Sequence, residues 1–253
     1  MEKEAFYITL PSNASLKVFP NNKIGDYTVR LAKPIDLKGP WEVALTEIIY
    51  PHTWNTFNKE DARFTVIRDK PRQVLDATFA PGYYDSILAV VDVINKVLSN
   101  TPDYAELRLS YDQIQRKTFY RSVSQTARFQ FVASGKLERI LGKVQHFHKP
   151  DPLDRSCADI YGGFYTLFLY TDVIQHQRVG DSYAPLLRCV QVKGENNSVV
   201  CIQYIKPEYL PVSKSHFDTL TLHIRDDQGD IVSFKYGKVI TKLHFRPVKV
   251  QDY

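Results

Sequence analysis

The chain has 253 residues, of which 43% are hydrophobic and 24% charged, and 33 basic against 28 acidic side chains leave a net charge of +5. This places it among ordinary globular chains rather than disordered or fibrous ones, with room for one large β-rich domain or two modest ones. The mild positive balance permits an acidic partner without demanding one.

Sixteen Tyr, fourteen Phe and two Trp favour pleated, half-buried surfaces. The three cysteines (Cys157, Cys189 and Cys201) are odd in number and form no CxxC pair. No disulfide framework is expected, and the setting reads as reduced and intracellular. Cys189 and Cys201 fall in strand patterns and read as buried small hydrophobes. The opening MEKEAF carries no apolar signal region, and no run approaches the length of a membrane span. The N-x-S matches at Asn13 and Asn196 then read as turns rather than glycosylation sites.

In chain order, Phe6–Leu10 is a strand closed by Pro11-Ser12-Asn13. Asp26–Leu31 alternates, with Tyr27, Val29 and Leu31 on one face. Lys38-Gly39-Pro40 is a turn. Trp41–Tyr50 is the strongest strand: Trp41, Val43 and Leu45 share one parity, and the period breaks near Ile48-Ile49-Tyr50. Burial on both faces, or a bulge, explains that break. Phe64–Arg68 and Val74–Phe79 form a further pair around Asp69-Lys70-Pro71.

The period then changes. Ile87, Val91, Ile94 and Leu98 line one face of a helix within Tyr84–Leu98, with Asp85 as its cap. Leu107–Leu109, Thr118–Tyr120 and Arg128–Phe131 read as short strands. Ser134–Leu141 reads as a second helix, with Ser134 as cap and Gly142 as C-cap. The polar stretch Val144–Ile160 is either a domain boundary or a long loop within one fold. Strands return at Phe164–Tyr170, Leu186–Val192, Val199–Tyr204, Leu220–Arg225, Ile231–Phe234 and Val239–Phe245, with Asp226–Asp230 as a hairpin turn.

Two helices are too few for a βαβ repeat. The expected fold is all-β, an antiparallel β-sandwich of jelly-roll type with a small helical insertion. Residues 1–80 would supply the first part of the sandwich, 81–150 a mixed insertion with two helices, and 151–253 the remaining strands.

No HExxH, CxxC, GxSxG, P-loop or GxGxxG pattern occurs. No catalytic residue, cofactor or metal is expected, and the chain reads as a non-enzyme. His146 and His148 form an HxH, either exposed loop histidines or a pair able to share a metal. His223 and His244 read as hydrogen-bonded residues of polar strand faces.

Two segments are candidate contact surfaces. Between residues 108 and 143 stand eight cations (Arg108, Arg116, Lys117, Arg121, Arg128, Lys136, Arg139 and Lys143) against Asp112 and Glu138. They are a solvated face or a face for nucleic acid or an acidic partner. The aromatic exit of the strongest strand, with Tyr50, His52, Trp54 and Phe57, either caps the sandwich core or forms a subunit seam.

The stretches FYITLPSNAS (6–15), Tyr27–Lys38, WEVALTEIIYPHTW (41–54), VGDSYAPLLR (179–188) and GKVITKLHFR (237–246) resemble the minor capsid, or penton, proteins of Polinton/Maverick and adintovirus-like elements. The resemblance spans most of the chain. It implies a jelly-roll capsid protein that forms homopentamers at the vertices of an icosahedral shell. It also implies a double jelly-roll major capsid protein and an internal cement protein as partners. Its place would be the virion, after assembly in the host nucleus or cytoplasm. Weak nucleic-acid contact is open, and no membrane contact is expected. The alternative is a non-enzymatic β-sandwich binding module for carbohydrate, peptide or nucleic acid, taken over by a host.

Overall fold

The computed structural model describes residues 4–69, 71–123, 128–133 and 135–248. The chain divides into two compact units, one of Met1–Trp54 with Phe164–Tyr253, the other of Asn55–Gly163.

The first unit is built on eight strands: β1 (Phe6–Pro11), β2 (Asp26–Asp36), β3 (Trp41–Pro51), β4 (Thr166–Thr171), β5 (Leu186–Gln191), β6 (Val199–Gln203), β7 (His216–Arg225) and β8 (Ile240–Pro247). They form two antiparallel sheets, ordered β1-β8-β3-β6 and β5-β4-β7-β2, and the short strand Leu210–Pro211 also pairs with β3 in the first. The pairings β1 with β8, β2 with β7, β3 with β6 and β4 with β5 are nested. A long antiparallel ribbon rolled upon itself gives this order, which is a jelly roll.

Alternation packs the two sheets together. Tyr27 and Val29 of β2, Leu167 and Leu169 of β4, Leu220, Leu222 and Ile224 of β7, and Leu243 and Phe245 of β8 are all buried in one core. The break read in β3 is a bulge. Lys242 pairs with Glu47 and Leu243 with Leu45, so Thr46 is the extra residue. The buried positions accordingly switch from Trp41, Val43 and Leu45 to Ile48 and Tyr50. Thr46 uses its hydroxyl to donate to the Lys242 carbonyl at 2.9 Å, which holds the bulge. The phenol of Tyr27 sits in the core within 3.3 Å of the Leu10 carbonyl and of the Thr241 hydroxyl. Burial raises its pKa well above the usual range, so it stays a neutral donor.

The second unit has a core of its own, containing Phe57, Phe64, Val66, Ile94, Leu98, Leu107, Phe131 and Ile140. Strands Arg63–Arg68, Gln73–Thr78 and Phe129–Val132 form one small sheet; Leu107–Asp112, Lys117–Ser122 and Gln145–His146 form another. Helix α1 (Ile87–Ser99) buries Ile87, Val90, Val91, Ile94 and Leu98. Its cap is Ser86, whose hydroxyl accepts from the Ala89 N–H at 3.3 Å; Asp85 lies one residue before it. The side chain of Asn95 clamps the Leu109 backbone at both its N–H and carbonyl, at 2.8 and 2.9 Å. Helix α2 (Gly135–Leu141) ends at Gly142, whose φ of +67° is the left-handed stop expected of it. Ser134, expected as its cap, lies outside the described residues.

The insertion is larger than the expected 81–150. Arg63–Arg68 and Gln73–Thr78, read as sandwich strands, pack into the second unit, and its chain closes only at Gly163. A strand pattern reports pleating but not which sheet it joins. Beyond the short strand Gln145–His146, the Val144–Ile160 stretch is a loop of this unit rather than a linker, with the Asp154 carboxylate at its centre. Asp154 accepts from the Ser156 N–H at 3.1 Å, the Ser156 hydroxyl at 3.0 Å and the Gln145 amide, and it lies 3.7 Å from the Lys117 ammonium.

Candidate functional site

The aromatic exit of β3 divides between the two units. Tyr50, His52 and Trp54 belong to the sandwich and Phe57 to the inserted unit. Tyr50 is buried and its hydroxyl receives the Lys193 N–H at 2.9 Å. His52 is buried and stacks on Trp54 with centroids 4.1 Å apart. Thr53 donates from its hydroxyl to the Tyr236 carbonyl at 2.9 Å and accepts the Lys235 N–H at 3.0 Å. Trp54 meets Phe164 and Phe234 edge-on at 5.2 and 5.7 Å. This segment gathers the loops after β5 and β7 and the chain leading into β4, closing one end of the sandwich core. Phe57 is fully buried against Phe79 and Tyr84 in the other core.

These positions correct the seam expectation. Tyr50, His52 and Phe57 have no surface to offer a neighbour, and the half-buried Trp54 already has four aromatic partners. The capping reading is the one the geometry bears.

The eight cations of the basic segment lie in the inserted unit and do different things. Lys117 donates to the Asp154 carbonyl at 2.7 Å, and Lys143 pairs with Asp151 at 3.1 Å. Arg108 donates to the Leu107 carbonyl at 2.8 Å, and Arg121 lies 5.9 Å from the Phe147 ring. Arg116 holds a left-handed turn with φ of +54° and its carbonyl accepts the Ala158 N–H. Lys136 is half-buried, while Arg128 and Arg139 are exposed. The acids that answer Lys117 and Lys143 follow the counted window in sequence. Over the whole inserted unit 16 basic side chains face 13 acidic ones, so the local excess is largely balanced.

No group of three or more His, Cys, Asp or Glu is arranged to hold a metal among the described residues. His146 and His148 have ring centroids 5.8 Å apart. All three cysteines are exposed, which corrects the expectation for Cys189 and Cys201. Each takes the outward parity of its strand, between inward neighbours such as Val200 and Ile202. Desolvation and the nearby Glu208 push the Cys189 thiol pKa up, the opposite of an activated nucleophile. His223 and His244 do sit on polar faces, bonded to Asp26 at 2.8 Å and to the Tyr209 hydroxyl at 2.6 Å.

One arrangement escaped the sequence reading. On the outer face of β8, Lys242, His244 and Arg246 stand in a row. Lys242 lies over Tyr7 at 5.1 Å, His244 stacks on Tyr7 at 4.4 Å, and Arg246 lies over Tyr209 at 3.4 Å while pairing with Glu42 at 2.5 Å. The alternate spacing of KLHFR was its signal. Within the unit Glu42 answers Arg246, and Lys242 rests on the Tyr7 ring.

A scan against protein-family models finds no match, and a search of curated proteins finds none. Among solved structures the chain is similar to the penton protein of mavirus, at a TM-score of 0.54 and 11% identity. The match covers 97% of this chain and 100% of that one. At this identity the likeness speaks for the fold alone: the chain is built as a jelly roll like that penton protein, over nearly its whole length.

Proposed function

We propose that this chain is a structural, non-enzymatic capsid protein, a penton whose copies form pentameric vertex capsomers of an icosahedral virus-like particle. The observation that carries the reading is the nested jelly roll, together with its likeness to a viral penton protein over almost the whole chain. A five-fold ring needs a heterologous interface, in which two different edges of one subunit meet. The open edges β1 and β6 of one sheet and β2 and β5 of the other supply such surfaces. Val199 in β6 and Ile205 just after it are 72% and 96% exposed, which makes them better seam candidates than the buried aromatic exit.

The partners in this reading are further copies of the chain, a double jelly-roll major capsid protein and an internal cement protein, with at most weak nucleic-acid contact. Its location is the virion capsid, after assembly inside the host cell. Co-expression with a major capsid protein and imaging of the particles test this reading. Density for this chain at the vertices is the expected result. Closed shells that exclude it would refute the assignment.

A further inference from the structure

A cleft of about 480 Å³ opens in the inserted unit where several strand ends meet. Its lining includes Asp69, just beyond strand Arg63–Arg68, and Arg128 with Phe129, at the start of strand Phe129–Val132. His146, His148 and Lys149 come from the short strand Gln145–His146 and the turn after it. Arg128 of the basic segment and the HxH pair thus share one concavity.

The cleft is fixed by its backbone. The Asp69 N–H donates to the Arg128 carbonyl at 3.0 Å, and the Lys149 N–H to the His146 carbonyl at 3.0 Å. The His148 N–H donates to Nδ1 of His146 at 3.2 Å, which assigns Nε2 as the ring donor. The His146 ring meets Tyr120 edge-on at 5.2 Å. Unlike Lys117 and Lys143, Arg128 and Lys149 form no ion pair among the described residues. Burial and the charges of His148 and Lys149 hold the His146 pKa below its ordinary range. Arg128 and Lys149 against the one carboxylate of Asp69 leave the cleft with a positive surplus.

We propose that this cleft binds an acidic saccharide, a mono- or disaccharide that carries a sulfate, phosphate or carboxylate group. Arg128 and Lys149 hold the anionic group, because both are cationic side chains exposed at the cleft. Asp69 decides for a sugar over a bare phosphate backbone. An ionised carboxylate only accepts hydrogen bonds, so it repels phosphates but takes sugar hydroxyls. Nε2–H of His146 donates to ring oxygens, and Phe129 adds an apolar patch. The volume falls in the range of small-ligand pockets. The site does not depend on the capsid reading.

Titration calorimetry on the full chain tests this with sulfated N-acetylglucosamine, glucuronic acid, uncharged N-acetylglucosamine and an oligothymidylate, each at two salt concentrations. At least one acidic sugar should saturate with a Kd on the order of 1 mM or tighter, more weakly at high salt, while the uncharged sugar does not bind. The sulfated and carboxylated arms identify the anionic group. Arg128→Ala and Lys149→Ala should each lower affinity roughly 10-fold. Asp69→Asn should weaken the sugar without weakening the oligonucleotide, and Lys96→Ala, on the exposed side of α1, should change nothing. Three results would overturn the proposal: no acidic sugar bound, equal loss in Lys96→Ala, or oligothymidylate held through Arg128 and Lys149 more tightly than any sugar.

Discussion

The sandwich and the inserted unit are held together in different ways. In the sandwich, partners lie far apart in the chain: Phe6 pairs with Phe245 and Tyr27 with Leu222. The last strand, β8, sits inside its sheet between β1 and β3. That sheet is incomplete until β8 has been placed. In the inserted unit, hairpins such as Leu107–Asp112 with Lys117–Ser122 close locally, and a polar loop replaces further strands. The sandwich core rests on long-range apolar registry throughout, whereas the inserted unit joins local hairpins through the distant pairing of Arg63–Arg68 with Phe129–Val132 and holds its polar loop by a carboxylate. Mutations and pH should therefore separate them.

The largest expected effect is Trp41→Ala. Trp41 is buried, lies 5.6 Å from Phe6 and donates from Nε1 to the Lys38 carbonyl at 3.0 Å. Its loss should cost about 3–5 kcal/mol. In hydrogen exchange, protection should fall in the eight sandwich strands and persist in the inserted unit. Ile94→Ala, inside α1, should cost about 2–5 kcal/mol with the opposite distribution. If either variant lowers protection equally in both units, the comparison fails.

Trp54→Ala should cost about 2 kcal/mol, less than a fully buried aromatic because Trp54 keeps part of its surface in water. Thermal melts of the monomeric chain should show that loss. A variant that folds with unchanged stability yet no longer assembles would restore the seam role for Trp54. Val199→Lys and Ile205→Lys should do what Trp54→Ala should not, leaving the melt within about 0.5 kcal/mol while blocking self-association. Assembly unaffected by both would remove β6 from the seam.

A smaller effect comes from acid. Burial opposes ionisation of Asp154, but hydrogen bonds from Ser156 and Gln145 and the charge of Lys117 outweigh it, and its pKa lies below the usual carboxylate range. A carboxyl lowered on folding stabilises above its unfolded value, and the contribution is lost as pH falls through the folded one. Protection in the 143–160 loop should hold at neutral pH and fade below about pH 4. Asp154→Asn should show the weaker protection at neutral pH already and lose little more in acid. Identical pH profiles for the variant and the parent chain would show that the carboxylate is not what holds the loop.

Much of the sandwich was readable from sequence because period-2 alternation survives where one face is wet. Tyr27 with Val29, and Leu220 with Leu222 and Ile224, point inward as read, and the broken period of β3 marks a true bulge. Three things were not readable, each for a physical reason. Val199–Gln203 is apolar on both parities, so nothing in it told Cys201 from its inward neighbours. The charge of 108–143 looked unbalanced because Asp151 and Asp154 return to it only through the fold. The aromatic exit was equally suited to a core or a seam. Only its partners, Phe164 and Phe234, more than a hundred residues away, decide that it is a cap.

Native mass spectrometry of the purified chain over a wide concentration range tests the central claim most directly. A closed species of five times the 29.2 kDa chain mass, lost in Ile205→Lys, is the predicted result. A chain that stays monomeric at every concentration, or stops at a dimer, would contradict the penton assignment.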